Sequence, residues 1–181
     1  MYIEHIIYSA ALAVIVGMIF SRYTGRDPSW IIIALAFLPD IDVALARIQE
    51  WNWIDVPFEI HHGNLHNILF LIVLSLLIAK VLRYFGIRFI DALICSAIGI
   101  GAHFFEDFLV FNPAYAYLWP FTSQIFSWGI LKGPRNVFWI ANSTVLIIGL
   151  ILLYGALLLR TRIEGTDWWS VFFRGGREDI P

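Results

Sequence analysis

Thiol is almost missing from this chain, since Cys95 is its only cysteine. That excludes an intrachain disulfide and any cysteine-rich zinc site, and leaves Cys95 as a small apolar packing residue. Charge is scarce too: 14% of the residues are charged, against roughly 25% in a soluble domain, and 60% are apolar. With a mean hydropathy of +0.76, the 181-residue chain reads as an integral membrane protein. Its net charge of -2 offers no basic excess, so nucleic acid is not an expected partner. The first residues lack a basic region and carry Glu4 and His5 instead, so no cleaved signal peptide is expected. Internal repeats and low-complexity segments are also missing.

What is present is a series of apolar runs. Ile3 to Phe20 is long enough to span a bilayer, and the turn from Ser21 to Arg26 ends it. Asp27-Pro28 then reads as N-cap and first position of a second helix. This helix runs from Trp30 to about Ile48 and should break at Pro39, which lacks an N–H and biases Leu38 away from helical angles. Trp51 to Ile60 reads as an interfacial or re-entrant piece. A third helix is expected over Leu65 to Leu82, a fourth over Phe89 to Phe111, and a fifth over Val137 to Leu159. The aromatic, proline-interrupted stretch 112–134 suits the headgroup level.

The expected fold class is therefore all-α, an integral membrane bundle of about five transmembrane helices with an interfacial C-terminal segment. Residues 1–160 form the transmembrane domain, and 161–181 an interfacial or cytoplasmic tail carrying Trp168 to Phe173. The positive-inside rule places the N-terminus outside and the C-terminus in the cytoplasm, with Arg22, Arg26, Lys80, Arg83, Arg88, Arg160, Arg162, Arg174 and Arg177 inside. Arg47, Lys132 and Arg135 are left outside. Counting along each helix at 1.5 Å per residue, His5, Asp40, His66 and His103 all fall about 18–22 Å above the inner ends. Four segments thus carry polar residues to one level in the outer half of the bilayer.

Ionisable residues at such depth are costly and mark functional sites by default. All five histidines take part: His5, His61, His62, His66 and His103. His103 and Asp107 share a helix face at i,i+4, with Glu106 on the flank. Asp40 and Asp42 adjoin Pro39 and can converge only where the helix is broken. His62 and His66 also have i,i+4 spacing, whereas His61 with His66 needs non-helical backbone, which Gly63 can supply. Imidazole with carboxylate suits zinc, manganese or iron, and the candidates His5, Asp40, Asp42, His61 or His62, His66, His103 and Asp107 are enough for one ion or two. A metal site of this composition activates water for hydrolysis, with surplus groups acting as second-layer orienters or as general acid and base.

These residues also carry a resemblance. The order His5, Leu38-Pro39-Asp40-Ile41-Asp42, His61 to Asn67, His103 to Asp107 and Leu118-Trp119-Pro120-Phe121 resembles the membrane-bound, metal-dependent hydrolase family of LexA-regulated, YdjM-like inner-membrane proteins. The likeness covers residues 5 to 121. His62 stands where the family has Arg, Leu65 where it has Thr, and Asn67 where it has Ser. The resemblance makes His61 the ligand and His62 the replacement for an anion-binding Arg, while helical spacing alone pairs His62 with His66. Its His-x-x-x-Asp element is similar to part of the zinc-dependent phospholipase C site, which implies phosphoester chemistry on a lipid or other membrane-associated substrate. In that reading Asp42, Glu106 and His62 are the catalytic candidates, and zinc, manganese or iron the cofactor. Two other functions compete: a transporter relaying metal ions or protons, which requires polar residues across the whole membrane, and a non-catalytic protein with a structural polar cluster. Oligomeric state is not legible.

Overall fold

A computed structural model describes residues 3–50, 64–110, 115–131 and 142–167. Its helices are α1 (Ile3–Thr24), α2 (Trp30–Ala34), α3 (Ile41–Glu50), α4 (Ile68–Arg83), α5 (Phe89–Val110) and α6 (Ser143–Glu164). Among the described residues the architecture is all-helical, as expected. His61, His62 and the expected interfacial stretch from Trp168 lie outside the described residues, as does Val137, where the fifth helix was expected to begin.

Among the described residues only α1, α5 and α6 have both the length and the hydropathy to cross a membrane. The expected five spans are not reached by that measure, for two physical reasons. α4 has 16 residues and extends about 24 Å, and the second apolar run is interrupted. α2 stops at Ala34, and the chain advances through i→i−3 turns, Ala36 N to Ile33 O, Leu38 N to Leu35 O and Asp40 N to Phe37 O, before α3 begins at Ile41. Pro39 sits in this passage, where its missing N–H costs least. At the other end of the chain α6 continues to Glu164, taking in the first four residues of the expected tail.

α1 and α6 pack side by side in the same direction. Glu4 meets Asn142 at their N-terminal ends, a Cβ on Gly149 would lie 3.3 Å from Ile7, and Arg160 reaches Val14 and Asp27 at the far end. α4 and α5 run antiparallel through the turn at Gly86, whose φ of 83° suits glycine. α2 lies against α5, and a side chain at Gly99 would come within 3.0 Å of the Ile32 carbonyl. Between these layers sits a core of Ala13, Ile31, Ile32, Ala79, Ala92 and the buried thiol of Cys95. Large apolar side chains on α4 and α6, among them Val73, Leu77, Ile147, Ile151 and Leu158, point outward, as helices facing lipid must.

The far end holds a polar cluster that sequence reasoning placed elsewhere. Arg160, expected at the cytoplasmic end of the last span, is fully buried on α6, and its Nη2 lies 2.7 Å from Asp27 Oδ2. Its Nε donates to Glu164. Asp27 is not the residue adjoining the helix: Ser29 is, and Asp27 Oδ1 accepts from both its backbone N–H and its hydroxyl. Gly17 makes the room, because a Cβ there would sit 2.5 Å from Asp27 Oδ2 and 2.6 Å from Arg160 Nη1.

Candidate metal centre

Four segments deliver side chains to the opposite end, about 18 Å along α1 from Gly17. His5 comes from the first turn of α1, Asp40 from the turn after the α2 break, and His66 from the loop just before α4. His103 and Asp107 come from adjacent turns of α5. His66 is not helical: α4 begins at Ile68, where Asn67 acts as N-cap and accepts from Phe70 N. The third helix was expected from Leu65, so the helical basis for pairing His62 with His66 falls away.

Asp40, His66, His103 and Asp107 each offer a ligand atom, and these atoms lie within 4.8 Å of one another. His66 Nε2 is 3.2 Å from His103 Nε2, 3.5 Å from Asp40 Oδ1 and 3.3 Å from Asp107 Oδ2. His103 Nε2 is 3.4 Å from Asp40 Oδ1 and 3.5 Å from Asp107 Oδ2. Ligands placed tetrahedrally at 2.0–2.1 Å from a central ion are separated by about 3.3–3.4 Å. Five edges of the set therefore already have the length that a small divalent cation imposes.

The tautomer of His103 follows from the fold. A residue i in a run of i→i−3 turns passes its carbonyl to residue i+3, and for Ala36 that residue is Pro39, which has no N–H. The next donor, Asp40 N, bonds Phe37 O. The Ala36 carbonyl is left free, and His103 Nδ1 takes it at 2.7 Å. A carbonyl can only accept, so Nδ1 carries a proton, and Nε2 is the nitrogen that faces the cluster and could ligate an ion. An imidazole oriented by its second nitrogen in this way is the usual form of a metal-ligating histidine.

Around the four stand residues that do not join them. Asp42 is fully buried with Oδ2 3.7 Å from His66 Nδ1, on the far side of that ring, and it also accepts from Leu65 N at 3.4 Å. It is positioned to orient a ligand rather than to be one. His5 stacks on His103 with ring centroids 4.0 Å apart, its Nε2 3.7 Å from Asp107 Oδ1. Glu106 Oε2 lies 2.9 Å from His5 Nδ1, although the pair is not angled for a hydrogen bond. Glu106 thus touches the cluster only through His5.

Two features were not legible in sequence. Tyr115, in a stretch expected to serve as membrane belt, places its ring 4.2 Å from that of His66. Burial, and then the charge of Asp107, pushes the phenols of Tyr115 and Tyr117 up, so both stay protonated donors. The stretch is held there by backbone bonds from Ile68 N to Tyr117 O and from Trp128 N to Phe108 O. The belt reading still suits its outer side, where Trp119, Phe121 and Trp128 are exposed. Glu4, read only as the absence of a basic residue, accepts from Asn142 N at 3.0 Å and anchors the start of α6.

Buried carboxylates need a counter-charge. Among the described residues, the ion pairs of Asp40 and Asp107 are with histidines alone, and no lysine or arginine reaches them. Two carboxylates and two imidazoles converge within 4.8 Å, and a cation among them would take a ligand atom from all four. The residues fit a metal ion. The chain matches the profile of the YdjM inner membrane protein family over residues 1–173, and so belongs to that family. It is a multi-pass protein of the cell membrane, in contact with lipid. No curated protein and no solved structure matches it.

Proposed function

We propose that this member of the YdjM inner membrane protein family is a membrane-embedded, metal-dependent hydrolase acting on a phosphoester of a lipid or membrane-associated substrate. The observation that carries the reading is the convergence of Asp40, His66, His103 and Asp107 within 4.8 Å, with His103 turned by the Ala36 carbonyl so that its Nε2 faces the others. Zinc is the ion that best suits two imidazoles and two carboxylates, with manganese and iron as alternatives. Once bound, such an ion supplies Lewis acidity toward a phosphoryl oxygen and makes water a better nucleophile at neutral pH.

The chain supplies the rest. Asp42 holds the ring of His66 from behind. His5 faces Asp107 with Nε2 and Glu106 with Nδ1, an order that lets His5 accept a proton on the cluster side while Glu106 steadies the charge that results. Glu106, taken alone, is then a positioning residue for His5. Asp40 is the only one of the four ligands that is not fully buried, so an oxygen of the substrate can approach on its side. Arg22, Lys80, Arg83, Arg88 and Arg162 gather at the far end of the helices, which supports a centre in the outer half of the membrane and a cytoplasmic C-terminus.

A second reading draws on the same geometry. Four protein ligands are the complement of a structural zinc, whereas catalytic sites keep a position open. In that reading the ion only ties α4 and α5 to the α2 break. Purified full-length protein in phospholipid nanodiscs separates the two, by elemental analysis beside mass spectrometry of the lipids. Hydrolysis predicts one or two ions per chain and lipid turnover, both lost in His103→Ala and Asp40→Asn. Ions without turnover would favour the structural reading. A folded wild type that holds no ion after exposure to zinc, manganese and iron would remove both.

A further inference from the structure

The α2 break opens a cavity of about 470 Å³ lined by Ala34, Phe37, Leu38, Asp40, Ile41 and Ala44. That volume lies in the range of small-molecule sites, roughly 300–1,000 Å³. Five of the lining residues are apolar and the sixth is a ligand of the metal centre. Resting on the hydrolase reading, we propose that this groove seats an acyl chain of an anionic phosphoester lipid, which arrives sideways from the bilayer with its headgroup at Asp40.

Three observations fix the occupant. The first is the medium at the mouth. Ala34, Ile41 and Ala44 are exposed around it. At the same level every segment that brings a residue to the centre turns an apolar side chain outward beside it: Ile6 next to His5, Phe105 between His103 and Asp107, and Leu69 just after His66. In a membrane chain that ring faces hydrocarbon, so what enters there is a lipid and not a solute from water. The second is exposure. Among the described residues His66, His103 and Asp107 are buried, Tyr115 lies on His66, and Asp40 alone of the four is partly exposed and lines the groove. The third is charge. Beyond Asp40 the groove is apolar, which suits a hydrocarbon tail, while a cation held by the four ligands would attract a phosphate headgroup and leave a neutral lipid without a partner.

The test uses the full chain in nanodiscs containing a trace of phosphatidylglycerol with a photoreactive diazirine in mid-chain. Labelled positions are read by peptide mass spectrometry, and the lipid-facing side of α6 at Ile147, Ile151 and Leu158 serves as internal reference. Labelling of residues 34–44 is expected to exceed that reference. It should drop to the reference in Ala44→Trp, which fills the groove, and in Ala34→Phe if the first variant does not fold. Equal labelling of groove and α6 in the wild type, or enrichment that survives in the filled variant, overturns the proposal. A groove occupied by a second copy of the chain would show the same lack of lipid label and overturn it too. Enriched labelling without lipid turnover leaves the groove standing and removes the hydrolase. Turnover without enrichment does the reverse.

Discussion

Asp27 and Asp107 are both buried carboxylates beside α1, one near each end of that helix, and they are neutralised by opposite means. Asp27 meets Arg160 at 2.7 Å and takes two further donors from Ser29, so its charge is answered within the chain. Asp107 and Asp40 meet imidazoles whose Nε2 atoms also face each other, 3.2 Å apart, with no lysine or arginine reaching them among the described residues. The first cluster is complete as folded protein. The second is the arrangement that could take a cation. Burial alone therefore does not distinguish a structural polar group from a ligand. The kind of neighbour does: a fixed guanidinium opposite Asp27 leaves no place for an ion, whereas imidazoles opposite Asp40 and Asp107 can give up a proton and take an ion. The Arg160 cluster also answers the expectation of a transport path, since polar residues do occur at the far end, but as a paired lock joining α1, α2 and α6.

Removing metal is the sharpest way to separate the two ends. Chelation should speed amide hydrogen exchange in residues 64–71 and 103–110 by orders of magnitude, because the four side chains then lose a shared ion, and should leave α1 near Gly17 and α6 near Arg160 protected. Equal protection at both ends before and after chelation would erase the distinction. Next in size, Arg160→Ala should cost about 3–5 kcal/mol of unfolding free energy by stranding Asp27, and the pair Arg160→Met with Asp27→Leu should recover most of it. Unfolding in mixed detergent measures both, and a single variant as stable as wild type would show that the lock is idle. Smaller still, Asp42→Asn should weaken metal binding about 10–100-fold through the orientation of His66 without altering stability at the Arg160 end. Competition with a calibrated chelator reads that shift, and an unchanged affinity would detach Asp42 from the centre.

Much of the centre was legible because intramembrane charge is rare enough for each instance to count. The i,i+4 pair His103 and Asp107, the break at Pro39 and the convergence of Asp40 with His66 all follow from spacing and from one residue's missing N–H. Asp42 and His5 were legible as neighbours but not by role, since spacing does not say which atom of a carboxylate or ring faces inward. Arg160 was misplaced because a basic residue at the end of an apolar run looks the same whether it enters the headgroups or folds back; the nearby Gly17 was the only trace of the space reserved for it. Tyr115 could not have been singled out from an aromatic stretch in which Trp119, Phe121 and Trp128 face outward and Tyr117 and Phe126 pack inward. Among the described residues three helices satisfy length and hydropathy, and the five-span count is not confirmed: the α2 break was legible at Pro39, but not that α4 would start only at Ile68.

The hydrogen that Pro39 lacks has a consequence for anyone who would transplant this centre. Copying Asp40, His66, His103 and Asp107 onto an idealised, unbroken bundle would reproduce every side chain and lose the chemistry. The Ala36 carbonyl would be occupied by the backbone, and nothing would decide which His103 nitrogen holds its proton. One instruction for the site is written as an omission in the main chain, where a search for shared side chains would pass over it.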